Sequence, residues 1–345
     1  MEHQPVLTEV RSAHRFSEEK LATFLVEKLG EGFHPQSFRQ FEGGQSNPTF
    51  LLQTRDRQLV LRKQPPGHLL PSAHAVDREY RVMHHLQGTG VPVPRMVLLC
   101  EDPEIIGTRF FLMDYVPGRV IVDPRLPGLS VEERKALTLD QIEVLARLHQ
   151  VDLEKTGLGD FGKSGNYYQR QLSRWTKQYR ASQTEDILSM EALISWLPAN
   201  VPDSDAVTLV HGDYRVGNLV IDPNIPKVAA VLDWELSTLG HPMGDLSYWC
   251  LSYHYIHGAG GAVLSDAIEG IPSEAAVLDR YAAITGFHPG KDWPFYLAFT
   301  MFRLAAIIQG VVKRGMDGNA SSERWASLKD DCRRLAVLGE KLCLG

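Results

Sequence analysis

Cysteine is scarce and scattered. Four occur in 345 residues, at Cys100, Cys250, Cys332 and Cys343, with none of the close pairing of a metal knuckle or redox motif and too few to staple a chain of this length. A reducing, cytoplasmic setting is the expectation. Charge of one sign is missing too: 36 Lys and Arg stand against 42 Asp and Glu, for a net charge of −6. That balance offers no counter-field to nucleic acid or to an anionic membrane, so neither is expected as a partner. The opening MEHQPVLTEVRSAH is polar and mixed in charge, without the apolar core of a leader peptide. Long apolar runs are limited to one, PFYLAFTMFRLAAIIQGVV at 294–312, with Arg303 near its centre. A guanidinium there would cost at least about 2.5 kcal/mol in lipid, so the run predicts a buried core helix. No G-x-S-x-G, no H-E-x-x-H, no dinucleotide fingerprint after a first strand and no internal repeat occurs, which excludes the chemistries that depend on them.

What is present divides into two textures. From Phe38 to Val116 the chain reads as five short β runs, FRQF, TFLLQT, QLVLR, MVLLC and TRFFLMDYV, separated by glycine, proline and charged turns. One helix interrupts them, SAHAVDREYRVMHHLQ, with a candidate cap at Ser72 and Val76, Tyr80 and Met83 on one face. After residue 116 the pattern turns helical, and the strongest strand pair is NLVID with KVAAVLD across Pro223–Pro226. The expectation is an α+β fold of two lobes: residues 1–116 with a five-stranded antiparallel sheet, and residues 117–345, mainly helical. The cleft between such lobes is the default site.

Within the helical half lies VHGDYRVGNLVID, 210–222. If its last strand pairs with KVAAVLD in simple register, Asn218 stands opposite Asp233, with Cβ atoms about 5 Å apart. Asp213 is on the preceding loop. An amide and a carboxylate at one end of a ladder suit a hard divalent cation that takes its remaining ligands from phosphate and water. A polar β-turn is the bland alternative, and either residue alone would favour it.

His211-Gly212-Asp213, Asn218, and Leu232-Asp233-Trp234-Glu235 resemble the catalytic and metal-binding loops of the aminoglycoside phosphotransferase family, relatives of protein kinases. The likeness extends from about Phe41 to the last helix. RKQPPG, SAHAVDREYRV and LDWELSTLGHP are most similar to the kinase-type domain found beside acyl-CoA dehydrogenases. The resemblance implies a protein-kinase-like fold, ATP and Mg²⁺ as cofactors, and a small-molecule hydroxyl as acceptor. It implies Asp213 as the residue that takes the substrate proton, Arg215 on the transferred phosphate, and Asn218 and Asp233 on the metal. His211 reads as structural, and Asp245 as support for the loop.

Alternation in QLVLRK puts Val60 and Arg62 on one face and Lys63 on the other, while Glu79 falls on the inward face of its helix. An inward carboxylate needs a cation, which makes Arg62–Glu79 a candidate ion pair for gripping phosphates. The family more often has lysine in that strand, and Lys63 takes the role if the register slips by one. Gly43, Gly44, Gln45 and Ser46 form either a loop over the phosphates or a plain hairpin turn. By the resemblance, the backbone of Asp114 and Val116 meets the adenine edge. GLGDFGKS at 157–164 matches the Walker pattern, but a helical end precedes it where a strand is required. A hydroxyacyl-CoA kinase and a non-catalytic nucleotide-binding module are the alternatives to a general small-molecule kinase. The acceptor, the choice of ATP or GTP, and the oligomeric state are left open by the pattern.

Overall fold

The structure, a computed structural model, describes residues 6–42, 47–66, 74–256, 264, 268–318 and 323–344. The predicted Gly43, Gly44, Gln45 and Ser46 loop and the Ser72 cap lie outside these. The chain forms two compact units: residues 1–144, 152–158 and 216–237, and residues 145–151, 159–215 and 238–345.

In the first unit, β1 (Leu7–Thr8) and α1 (Glu18–Leu29) precede β2 (Ser37–Phe41), β3 (Thr49–Gln53) and β4 (Gln58–Lys63). Then come α2 (Val76–Leu86), β5 (Met96–Cys100), β6 (Phe110–Asp114) and the start of α3 (Val131–His149). The strands make one antiparallel sheet in the order β1-β2-β3-β4-β6-β5. The five expected strands are all there, and β1 adds a two-residue edge.

A second helix, α1, was not anticipated. Ser17 caps it by accepting the Lys20 N–H at 3.2 Å, Glu18 and Glu19 sit in its first turn, and Gly30 ends it at φ 96°. Its Leu21 and Leu25 join Phe50, Leu52, Leu59, Leu61, Phe110 and Leu112 in one apolar core. The period of two therefore sorts β4: Leu59 and Leu61 into that core, Val60 and Arg62 to the opposite face, towards α2.

The hairpin β8 (Leu219–Ile221) and β9 (Val228–Val231) returns to this unit. Arg119 and Ile221 exchange backbone hydrogen bonds of 3.0 and 2.8 Å. Gly118 permits the approach, since a Cβ there would lie 2.4 Å from Val220 Cγ1 and 2.5 Å from the Ile221 carbonyl oxygen. The register differs from the expected one. Leu219 pairs with Val231, so the Leu232 N–H donates to the Asn218 carbonyl at 2.9 Å and Asp233 lies one residue beyond. A separate register shift falls between Val220 and Ile221, towards the turn.

The second unit holds α4 (Tyr167–Ser182), α5 (Leu188–Ala199), β7 (Thr208–Val210), β10 (Thr238–Gly240), α6 (Met243–Cys250), α7 (Glu274–Thr285), α8 (Trp293–Met316) and α9 (Leu328–Leu344). Strand β7 pairs antiparallel with β10. The long apolar run is α8; its 290–316 stretch is long and apolar enough to span a bilayer, yet 78% of its most apolar window is buried inside the protein. It packs against α4, α5, α6 and α9.

Buried beside β10 is His241, 2% exposed, with Nε2 2.9 Å from Ser204 Oγ. Burial, with the nearby His149 adding to it, lowers its pKa from 6.5 to about 4. The native ring stays neutral where the unfolded one takes a proton. Its contribution is complete above pH 6.5 and is lost as pH falls towards 4, by about 3 kcal/mol at 1.36 kcal/mol per unit. Urea unfolding of wild type and His241→Gln at pH 7.5 and 4.5 measures this: the wild type loses that much relative to the variant. Parallel losses would assign the acid sensitivity elsewhere.

Candidate active site

The first unit contains a cavity of about 550 Å³. Apolar side chains of the sheet and hairpin make its walls, among them Val60, Met83, Phe111, Met113, Val220 and Leu232, while Glu42, Arg62, Glu79, Asn218 and Asp233 bring charge and polarity. Asp114 and Val116, read as adenine contacts, also line it. Asp114 is constrained: its carboxylate takes two hydrogen bonds from Arg95, at 2.7 and 3.1 Å, and its N–H donates to the Arg95 carbonyl at 2.9 Å.

Arg62 is the hub of the polar end. Its Nε lies 2.9 Å from Glu79 Oε2, its Nη2 donates to Asp233 Oδ1 at 2.8 Å, and Glu235 Oε2 is 3.8 Å away. Glu79 is 1% exposed, and Asn47 donates to its Oε1 at 2.8 Å. Burial drives the Glu79 pKa up to about 7 and the Asp233 and Glu235 carboxylates add to it, outweighing Arg62 and Asn47. Three carboxylates around one guanidinium leave an excess of negative charge, which a further cation would relieve. Asp233 itself leaves β9 in the left-handed conformation (φ 67°, ψ 61°). Lys63 points the other way: it is 2% exposed, with its ammonium 5.6 Å from the Phe16 ring on the core side of the sheet.

In the second unit, Asp245 organises the loop that follows β7. Its Oδ2 accepts the His211 N–H at 2.6 Å and its Oδ1 the Gly212 N–H at 2.8 Å, and His149 Nε2 lies 3.3 Å from Oδ2. Burial opposes its charge, but the His149 hydrogen bond, the two nearby histidines and the Gly212 N–H hold its pKa below the usual carboxylate value. His211 is fully buried and its Nδ1 accepts the Asp213 N–H at 3.2 Å, a structural place. Gly212 turns the loop at φ 85°. The Asp213 side chain is left 22% exposed, with Arg215 Nε 3.4 Å from its Oδ2. Tyr248 of α6 is hydrogen-bonded to the same carboxylate, and burial followed by that negative charge pushes the Tyr248 pKa well up.

Of the residues singled out by sequence, Arg62, Glu79, Asp114, Val116, Asn218 and Asp233 meet in one cavity of the first unit. Asp213 and Arg215 share the loop of the second, and Gly43 to Ser46 fall outside the described residues. Sequence reading gave no role to Asn47, Glu235 or Tyr248, although Glu235 closes the Leu232–Glu235 motif and Asn47 follows the glycine-rich stretch, because their contacts come from other elements. Arg303, the charge in the apolar run, also reaches this loop: its Nη2 donates to the Gly212 carbonyl at 2.6 Å. The Walker-like stretch follows α3 and leads into α4, with no strand before it. Arg170 donates to the Lys163 and Ser164 carbonyls, so the stretch is a loop, not a phosphate cradle.

Residues 37–286 match the model of the phosphotransferase enzyme family. The chain belongs to that family. As a family member it is also 48% identical over 318 residues to acyl-CoA dehydrogenase family member 10 of Mus musculus, covering 91% of this chain and 30% of that one. It is 41% identical over 326 residues to family member 11 of Homo sapiens, covering 92% and 42%. This phosphotransferase-family chain thus spans less than half the length of these curated relatives. A Ralstonia eutropha crystal structure, described as that of a candidate aminoglycoside phosphotransferase, superposes with a TM-score of 0.87 at 47% identity over 95% of this chain and 98% of the other. The aminoglycoside phosphotransferase APH(4)-Ia, a thermostable mutant in complex with AMP-PNP and hygromycin B, gives a TM-score of 0.62 at 17% identity over 93% and 99%. That likeness bears on the fold alone.

Proposed function

We propose that the chain transfers the γ-phosphoryl group of ATP, with Mg²⁺, to a hydroxyl of a small molecule. The carrying observation is the first unit's cavity, an apolar slot that ends in Arg62, Asn218 and Asp233. Adenine fits the apolar part, and since the Asp114 N–H is already used, a base edge there would meet its carbonyl and the Val116 backbone. Arg62, held by Glu79, presents a planar fork suited to phosphate oxygens. The oxygens of Asn218 and Asp233 are a donor set for a hard divalent cation, and the excess of carboxylates around Arg62 makes a cation welcome. Bound there, Mg²⁺ would neutralise phosphate charge. Glu42 lines the cavity and precedes Gly43, Gly44, Gln45 and Ser46, whose backbone N–H groups are the ones expected to meet the phosphates.

Asp213 lies five residues before Asn218 on the same chain. Its carboxylate would accept the hydroxyl proton as the acceptor oxygen attacks, and Arg215 would meet the transferred group. The expected boundary at 116/117 divides these roles only in part: Arg62, Glu79 and Asp114 precede it, while Asn218 and Asp233, which would hold the metal, follow it together with Asp213.

Around Asp213 the second unit presents cations on aromatic faces. The Arg303 guanidinium carbon lies 5.7 Å from both the Trp175 and Tyr248 ring centroids, and that of Arg174 lies 5.0 Å from Trp175. With Arg215, these would repel a polycationic aminoglycoside and favour an acceptor bearing negative charge. Relatives named as acyl-CoA dehydrogenases support a hydroxyacyl-CoA thioester as that acceptor. A coupled assay of ADP release against hydroxyacyl-CoA, aminoglycoside and small-alcohol panels, with Asp213→Ala as blank, tests the reading. Turnover of hydroxyacyl-CoA is expected. Turnover confined to aminoglycosides overturns the acceptor, and ATP binding without transfer to any panel member returns the chain to a non-catalytic module.

A further inference from the structure

We propose that Tyr248 and Arg303 are positioning residues for Asp213, acting as one clamp that holds the proposed base from its side chain and from its backbone. The inference rests on the phosphotransfer reading and assigns two residues outside its motifs. Tyr248 comes from α6 and Arg303 from α8. Neither adjoins the loop in sequence.

The side-chain half is the Tyr248 hydroxyl, hydrogen-bonded to the Asp213 carboxylate. It adds a donor from a buried element to the contact with Arg215, whose own side chain is 45% exposed. A buried phenol that stays protonated is a fixed donor, so it selects one carboxylate orientation and leaves the other lone pairs for an incoming hydroxyl. The backbone half is Arg303. Its Nη2 donates to the Gly212 carbonyl at 2.6 Å, on a residue whose two neighbouring N–H groups, those of His211 and Gly212 itself, are fixed by Asp245. The glycine at φ 85° can otherwise swing the peptide that carries Asp213.

The two halves are joined. Arg303 lies over the Tyr248 ring and over Trp175, each 5.7 Å from the guanidinium carbon, so one cation braces both the tyrosine and the peptide before Asp213. The buried Nε of Arg303 has no hydrogen-bond partner among the described residues. Tolerating that cost in α8 fits a guanidinium whose direction is set by the carbonyl it must reach.

The test uses the full chain with Tyr248→Phe, Arg303→Met and Arg303→Lys. Phenylalanine keeps the ring under Arg303 and removes only the hydroxyl. Turnover of MgATP is followed with water and with a hydroxyacyl-CoA panel as acceptors, ATP affinity by calorimetry, and the Asp213 carboxylate by ¹³C NMR, assigned with Asp213→Asn. Positioning predicts a kcat loss of about 10- to 100-fold in Tyr248→Phe and Arg303→Met, with ATP affinity of Tyr248→Phe within about twofold of wild type, since neither residue lines the cavity of the first unit. It also predicts a moved Asp213 resonance in Tyr248→Phe and partial recovery of kcat in Arg303→Lys. An unmoved resonance, or wild-type kcat in Tyr248→Phe, overturns the clamp while leaving the kinase reading intact. A wild type that transfers phosphate to neither water nor any panel member overturns both.

Discussion

Replacing Asp213 by asparagine is expected to lower phosphoryl transfer by about 10²- to 10⁴-fold while ATP affinity stays within about twofold, because a positioned proton acceptor acts on the chemical step and not on nucleotide binding. Asparagine keeps the shape of the side chain and an oxygen for Tyr248, and the Asp213 N–H still has His211 Nδ1 as its acceptor. The loop is therefore retained, and so is the cavity of the first unit, which Asp213 does not line. What disappears is basicity, since an amide cannot take the proton of the attacking hydroxyl. Arg215, 3.4 Å from Asp213 Oδ2, has no capacity to accept one. Single-turnover measurements with saturating MgATP isolate the step. A rate within threefold of wild type would move the base elsewhere.

Much of this arrangement is legible from residue order, and the reason is local periodicity. Alternation in QLVLRK separates Arg62 from Lys63, and helical spacing turns Glu79 inward; both follow from geometry within one element. The apolar α8 announces its burial in the same way. The Asp213 and Asn218 spacing singles out two candidate positions because they lie five residues apart. What local pattern cannot reveal is convergence across elements. Tyr248 is an unremarked aromatic of α6 until the loop after β7 is packed beside it. Arg303 reads as the one charge of a buried apolar helix, and only folding shows that it answers a backbone carbonyl. The hairpin register is a further case: Leu219 pairs with Val231, which puts Leu232 and not Asp233 opposite Asn218, yet Asn218 and Asp233 both line one cavity. For α1 the local signals are in the sequence, a Ser17 cap and an acidic first turn; what they do not show is that Leu21 and Leu25 complete the core of the sheet.

Arg62→Met should be the most destabilising change at the nucleotide cavity, by about 3–5 kcal/mol, the usual cost of stranding one partner of a buried pair. Glu79, 1% exposed, would lose its neutralising cation and keep only the Asn47 hydrogen bond. The cost should depend on pH in a definite direction. Burial and the Asp233 and Glu235 carboxylates already raise the Glu79 pKa to about 7, so without Arg62 the carboxyl takes a proton readily. A protonated Glu79 needs no cation, hence the loss should be larger at pH 8.5 than at pH 6. Lys63 cannot substitute, since it is buried on the other face of β4 over Phe16. The double variant Arg62→Met/Glu79→Gln removes both charges and leaves Asn47 an amide oxygen to bond. Stability should largely return in that variant, because buried pairs can be replaced by neutral groups at little net cost. ATP affinity should not return, because the phosphate fork is gone. Urea unfolding and calorimetric titration with MgATP separate the two effects. Wild-type ATP affinity in the double variant would show that Arg62 serves the fold alone, and the phosphates would then need another cation than the one Glu79 holds.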